Sequence, residues 1–412
     1  MDRIVLVSEN REKLICVNRE RAEYISVINV IGRGGTSIAY KARKVVNGQY
    51  GEWCILKEYF PKSEGYDHYV LYKREKVGGP IKIVVQDDDC IFEEKKDLIR
   101  KEIERQKHLI ERENQMINNL RLGNENNLPY VMGGEKIGFQ EEMGDTSYLI
   151  LDTQMGETLH SVIKKNGGKL SFKEAVDYFE KLLEIINVLR EKNFCHCDIK
   201  GENLWIEGSN ANKQMILIDF GSAFLSSDYN VDFDNENRII ELTDSIIYDA
   251  SIGSSTLGYI SPLLEDFYEA KEEYILSDED EKYESAISLI EAIQQLDVSV
   301  DLYSGIQLLY RMLTGKIYSM GRLITVEDVV NDSGQSQVVV RQLLKMMKKN
   351  EREGYHSIEA VREDLNILKK LESRGAHPEV LLEGLKKDIL ESSKIDEGLL
   401  VDVERITPKD VS

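Results

Sequence analysis

Proline is scarce in this chain, six residues in 412, and it is not gathered with glycine or serine into any low-complexity run. That excludes a polyproline spacer or a long flexible linker. Cysteine is scarce too. Five in so long a chain, an odd number, argues for reduced thiols rather than a disulfide framework. Positive charge is in deficit, with 53 Lys and Arg against 74 Asp and Glu and a formal net charge of −21. A surface of that sign repels phosphate backbones and anionic headgroups, so nucleic acid and membrane are excluded as main partners, and basic or neutral partners fit better. No apolar run approaches the length of a membrane span. The opening MDRIVLVSENREK carries an acidic second residue and too short an apolar run for a signal peptide, so a cytoplasmic location is expected. Internal repeats are absent as well.

What the chain does have is enough apolar residues, 42 %, to bury one large core or two medium ones. Their spacing changes along the sequence. Through residue 60 the runs RIVLVSEN, KLICVNRE, YISVINVIG, SIAYKARKV and EWCILKEYF are rich in β-branched and aromatic residues and are separated by polar or glycine turns, which predicts an antiparallel meander. EKIGFQ and SYLILD add two more strand candidates. Between them and the meander, apolar residues at Ile99, Ile103, Ile110, Ile117 and Leu120 mark an amphipathic helix from about Phe92 to Leu120. After Asp152 the helical period dominates, and Ser171 with Glu174 forms a capping-box signature ahead of a strong helix. Sheet first and helices later predicts an α+β chain of two lobes.

Three local patterns carry chemistry. In VIGRGGTSIAY, Gly32, Gly34 and Ser37 occupy the three positions of G-x-G-x-x-G between two strands, where backbone N–H groups can approach phosphate oxygens. Alone, such a stretch is as well read as an ordinary turn; the strand that follows disfavours a dinucleotide site, which needs a helix there. Lys57, on the next strand, alternates onto the face of Ile55, opposite Cys54 and Leu56. It either snorkels to water or needs a buried carboxylate. Glu113 interrupts the stripe between Ile110 and Ile117 and is the candidate partner, with Glu102 the alternative. The third pattern is CHCDIKGENLWI, which sets His196, Asp198, Lys200 and Asn203 before a short strand, with Asp219, Phe220 and Gly221 following another. A carboxylate to accept a hydroxyl proton, oxygen ligands for Mg²⁺ and cations for a phosphoryl group are what phosphoryl transfer requires.

With these motifs the chain resembles the eukaryotic-type serine/threonine protein kinases from about Ile31 to Leu368. The resemblance implies the two-lobed protein-kinase-like fold. In that reading residues 1–153 form the sheet lobe, with an insertion near 62–92. Residues 154–370 form the helical lobe, with an acidic insertion near 264–298, and 371–412 add a helical extension. It further implies ATP and Mg²⁺ as cofactors. Gly32, Gly34, Ser37 and Ala39 would line the nucleotide, Lys57 would pair with its phosphates while held by Glu113, and residues near Asp152 and Gln154 would form the adenine hinge. Asp198 would be the catalytic base, Lys200 the cation at the γ-phosphate, and Asn203 and Asp219 the metal ligands. His196 looks structural. STLGYISPLLED resembles the platform for a substrate peptide, with Thr256, Tyr259 and Pro262 matching, and DLYSGIQLLYRMLTG resembles the buried helix after it, with Asp301, Ser304 and Gly305 in register. A protein substrate follows. A nucleotide-binding pseudokinase scaffold and a small-molecule kinase are the alternatives.

The departures from the family pattern are informative. Cys197 stands where an arginine usually receives an activating phosphate, and between Gly221 and Gly258 the only basic residue is Arg238 among seven acids. Activation is therefore expected not to need a phosphate on that segment, the hydroxyls of Ser254 and Ser255 included. Leu263 and Gly354 replace both members of a buried ion pair, a joint loss that is nearly neutral, unless Glu265 and Arg352 form a shifted pair. The acidic segment 264–298 is expected to be a solvated helical insertion, or a docking surface for a basic substrate or a regulatory protein. Cys195 and Cys197 lack a second ligand pair at zinc spacing.

Overall fold

The structure, a computed structural model, describes residues 6–7, 13–18, 21–33, 37–59, 70–73, 82–85, 112–118, 120, 130–131, 148–152, 156–208, 213–231, 236–248, 256–318, 324–352 and 354–374. Gly34, Glu102, Gln154, Ser254 and Ser255, the strand candidate EKIGFQ, the extension beyond 374 and most of segment 62–92 lie outside the described residues. So does the predicted helix ahead of Arg112. The chain falls into two compact units, each assembled from separate stretches. The first combines residues 1–158, 203–224 and 237–254, and the second combines 159–202, 225–236 and 255–412.

The first unit holds an antiparallel sheet of seven strands. They are β1 (Leu6–Val7), β2 (Lys13–Asn18), β3 (Glu23–Arg33), β4 (Ser37–Val46), β5 (Gln49–Tyr59), β8 (Tyr130–Val131) and β9 (Tyr148–Asp152), in the order β1-β2-β3-β4-β5-β9-β8. A separate hairpin joins β6 (Val70–Lys73) to β7 (Lys82–Val85). The meander arises from strand-forming runs broken by tight turns. Between β4 and β5 the turn is Asn47-Gly48, both at positive φ (51° and 77°), the pairing whose twist matches a two-residue hairpin. Past a shift of register between Arg43 and Val45, Ala39 lies opposite Lys57, and Lys57 in turn opposite Leu149 on β9. Cys54, Ile55, Leu56, Lys57 and Glu58 are all buried, so β5 is covered on both faces. Residues 112–118 are helical, and Glu113, Met116, Ile117 and Leu120 are buried. A smaller sheet pairs Gly156–Thr158 with Leu204–Glu207, and that strand with Gln214–Leu217.

The second unit is helical. Its axis is the helix Val298–Thr314, in which every residue but Arg311 is buried. Phe179, Leu182 and Ile186 of the helix Phe172–Glu191 approach it at Gly305, where an added Cβ would meet their side chains at 3.5 to 3.6 Å, ordinary van der Waals contact. Ser171 caps the latter helix as its sequence predicts. Its Oγ accepts from the Glu174 N–H, and the Glu174 carboxylate accepts from the Ser171 N–H, both at 3.3 Å. Ser171→Ala is expected to lower the unfolding free energy by about 1 kcal/mol, read as a shift in the urea midpoint with the slope unchanged.

The acidic segment is helical as expected, but it is not merely solvated. Helices Pro262–Leu276 and Lys282–Gln295 turn Asp278, Glu279, Asp280 and Glu281 between them to solvent, while Leu264, Phe267, Tyr274, Leu289, Ile290 and Ile293 are buried in the unit's core. Charge dominates the composition and conceals an apolar stripe. Gly354 sits at φ 70° after the helix Gln337–Arg352, its N–H donating to the Lys349 carbonyl at 3.0 Å, so its backbone terminates that helix.

Candidate active site

In the first unit the Lys57 side chain, on β5, meets two carboxylates. Its ammonium lies 2.6 Å from Glu113 Oε2 and 2.7 Å from Asp219 Oδ1. Glu113 is 1 % exposed, and its other oxygen accepts the Phe220 N–H at 3.1 Å. Burial acts to lower the Lys57 pKa, but the carboxylates of Asp219 and Glu113 outweigh it and raise the pKa, so Lys57 is held as a cation. Burial pushes the Glu113 carboxyl up, and Lys57 opposes that push. Asp219 adopts a left-handed backbone conformation, φ 68° and ψ 72°. A Cβ at Gly221 would stand 3.3 Å from Asp219 Oδ1, tighter than normal contact, so the missing side chain makes room for the carboxylate. Asn203 is buried, and its carbonyl accepts the Ile218 N–H at 2.8 Å, tying the end of the HxDxKxxN motif to the strand that leads into Asp219.

The nucleotide-loop candidates are placed by β3 and β4. Gly32 pairs with Ala39 in the ladder, and Ser37 is buried. Among the described residues nothing lies within 4 Å of where a Gly32 side chain would begin. Asp152 closes β9, paired with Cys54 and Tyr130.

The second unit carries the other cluster. Asp198 Oδ2 lies 2.6 Å from Lys200 Nζ, Thr256 Oγ1 donates to Asp198 Oδ1 at 2.8 Å, and Lys200 Nζ donates to Thr256 Oγ1 at 2.7 Å. A carboxylate, an ammonium and a hydroxyl thus form a closed triangle. Beneath it, Asp301 at the start of the central helix accepts the N–H groups of His196 and Cys197 at 2.8 and 2.9 Å. Those bonds stabilise the turn in which Cys197 takes φ 65°, an uncommon conformation for a side-chain-bearing residue. Tyr259 is pinned by its N–H to the Thr256 carbonyl at 2.9 Å and by Ser304 Oγ to its own carbonyl at 2.8 Å. Pro262 occupies the first turn of its helix behind the Ser261 cap. One group escaped the sequence reading. His160 Nδ1 lies 2.7 Å from Glu202 Oε1, and Arg311 reaches both that imidazole at 3.2 Å and the Tyr259 hydroxyl at 3.1 Å. Their wide separation in sequence leaves no local signal.

Burial raises the Asp301 pKa to about 7 from 3.8, outweighing the amide bonds of His196 and Cys197 that favour the ionised form, while Asp297 adds to the upward push. Because the folded value is the higher one, the folded state holds an extra proton between those pH values. The stabilisation is complete below the unfolded pKa and is lost as pH rises through 7. Urea unfolding at pH 5 and pH 8 is expected to show the parent losing about 2 to 3 kcal/mol more than Asp301→Asn over that interval. Equal losses would remove Asp301 as the cause.

Cys195 is buried beside the Leu296 carbonyl, and burial raises its thiol pKa well above the ordinary value, which makes it inert rather than nucleophilic. Cys54, Cys195 and Cys197 are free thiols. Among the described residues no group of three or more His, Cys, Asp and Glu side chains converges as a metal site, and no helix is long and apolar enough to cross a membrane.

The described residues thus give an antiparallel sheet in the N-terminal part, a helical C-terminal part, a lysine held by two carboxylates, and an aspartate bridged to a lysine and a threonine. Residues 77–237 match the family model described as the protein kinase domain. The chain is 27 % identical over 111 residues to serine/threonine-protein kinase VRK1 of Caenorhabditis elegans, a stretch covering 27 % of this chain and 18 % of that protein. It is 28 % identical over 93 residues to a probable serine/threonine-protein kinase of Clostridium acetobutylicum, covering 23 % of this chain and 14 % of that one. A probable serine/threonine-protein kinase of Saccharomyces cerevisiae, HSL1, is 35 % identical over 79 residues, or 19 % of this chain and 5 % of its own. The chain thus spans less than a fifth of the length of these relatives. Each of these relatives is named as a serine/threonine-protein kinase or a probable one.

Proposed function

We propose that the protein transfers the γ-phosphoryl group of ATP to serine or threonine hydroxyls of a protein substrate, its own chain included. The observation that carries this reading is the Asp198, Lys200 and Thr256 triangle, which places a carboxylate, as a proton acceptor, beside a cation suited to a transferring phosphoryl group. Lys57, kept charged and aimed by Glu113, grips the nucleotide's phosphates, with Gly32, Gly34, Ser37 and Ala39 around the nucleotide and the chain near Asp152 and Gln154 at the base. Asp198 orients the acceptor hydroxyl and takes its proton, while Lys200 offsets charge on the oxygens that move. Thr256 holds both in register.

Asn203 and Asp219 supply hard oxygen donors of the kind Mg²⁺ prefers. Two protein ligands suffice for an ion that completes its shell with phosphate oxygens and water. When bound, the ion neutralises charge on the phosphates. Tyr259, with the platform ending at Pro262, favours a peptide over a small-molecule acceptor, and the retained Lys57, Asp198, Asn203 and Asp219 argue against a scaffold without turnover. The exposed acids of 278–281 make a basic substrate or a regulatory protein the fitting partner for that surface. Incubation with labelled ATP, Mg²⁺ and a generic protein is expected to yield phosphoserine or phosphothreonine. Label appearing only in a small-molecule acceptor, or none at all, overturns the proposal.

A further inference from the structure

Arg112 immediately precedes the glutamate that holds Lys57, and it points to the same backbone segment. Its guanidinium donates to the Ala223 carbonyl at 2.5 Å and to the Gly221 carbonyl at 3.4 Å, while Glu113 accepts the Phe220 N–H at 3.1 Å. Consecutive residues of one helical turn therefore grip a donor and two acceptors in the four residues that follow Asp219. Asp219 needs such support. Its φ of 68° lies in the left-handed region, which is unfavourable for an L-residue and persists only when its surroundings impose it. The grip uses main-chain carbonyls. The segment from Gly221 to Gly258 offers only Arg238 as a basic residue to receive a phosphate.

We propose that Arg112 is a positioning residue for Asp219: by bridging the carbonyls of Gly221 and Ala223 it holds the carboxylate at Lys57 and lets the start of this segment be ordered without phosphorylation. A planar guanidinium presents donors on separate nitrogens in a fixed fork, one to each carbonyl. An ammonium places its three donors on a single nitrogen at the end of a flexible stem and holds the two carbonyls less firmly.

The inference rests on the kinase reading only for its link to the metal, so its test has an arm that needs no turnover. Hydrogen exchange of the full chain is followed in peptides covering 219–225 for the parent, Arg112→Ala and Arg112→Lys. The Phe220 and Ala223 amides are bonded in the parent, to Glu113 and to the Phe220 carbonyl at 3.2 Å, and are expected to be protected. Exchange is expected to rise about tenfold or more in Arg112→Ala, the factor that follows from weakening an opening equilibrium by about 1.4 kcal/mol, and to be intermediate in Arg112→Lys. In a second arm the Mg²⁺ concentration that half-saturates binding of a fluorescent ADP is expected to rise by a similar factor in Arg112→Ala. Metal-free nucleotide binding should not change. If the alanine variant fails to fold, the lysine variant decides. Protection and Mg²⁺ requirement equal to the parent's in a folded variant overturn the proposal. A parent that binds Mg·ADP and transfers nothing sinks the kinase reading alone; a parent whose 220–223 amides exchange freely sinks the Arg112 proposal alone.

Discussion

Asp198→Asn is expected to reduce phosphoryl transfer about 10²- to 10⁴-fold, the range associated with loss of a positioned proton acceptor. The substitution keeps the side chain's size and one oxygen, so Thr256 Oγ1, now 2.8 Å from Asp198 Oδ1, retains an acceptor. What disappears is the capacity to take a proton and the counter-charge 2.6 Å from Lys200. Asp198 is buried, but the neutral amide that replaces it leaves no buried charge. The Lys200 ammonium left without a counter-charge keeps 19 % of its side chain exposed and its bond to Thr256, so the substitution should cost less stability than breaking the Lys57–Glu113 pair. The measurement is the rate of label transfer to protein beside a thermal unfolding curve. A variant that transfers within tenfold of the parent removes Asp198 from the role of base, and a collapsed unfolding transition shows the residue to be structural instead.

Lys57→Met is expected to abolish transfer and also to destabilise the first unit. The lysine is 9 % exposed and Glu113 1 %. Removing the ammonium leaves a buried carboxylate uncompensated, at a cost of about 3 to 5 kcal/mol, whereas replacing both partners with apolar groups is close to neutral. The two effects separate in a double substitution. Lys57→Met with Glu113→Leu is expected to regain most of the stability by urea unfolding, although Asp219 still loses its cation, and to regain none of the transfer. Recovery of transfer along with stability would reduce the pair to a structural one.

The parts of this chain that were legible in its sequence are those where a local rule acts alone. Ser171 and Glu174 spell a cap because capping chemistry spans three residues. The placement of Glu113 against Lys57 was readable because a charged residue inside an apolar stripe must face what the stripe faces. Arg112 was not readable, since helical spacing turns it away from that stripe and says nothing of a backbone segment over one hundred residues later that comes to meet it. Glu58 is similar. Alternation puts it on the face of Cys54 and Leu56, but only the fold shows that this face is closed and that the Tyr40 hydroxyl donates to Glu58 at 2.8 Å. The series of contacts from Glu202 through His160 and Arg311 to Tyr259 depends wholly on residues far apart in sequence. In the acidic helices the charges outnumber the buried residues, so composition misstates their packing.

The first unit draws on residues 1–158, 203–224 and 237–254, with stretches of the second unit between them. A nascent chain that has emerged through residue 158 possesses Lys57 and Glu113 but neither Asp219 nor the Phe220 amide, so two buried charges face each other without their remaining partners until synthesis has passed residue 220. Completion of the first unit therefore has to wait for residues that are synthesised after the second unit's first stretch, 159–202. No single truncation point yields a self-sufficient N-terminal fragment, and expression of residues 1–158 alone should give material that is handled by chaperones rather than released as a folded product.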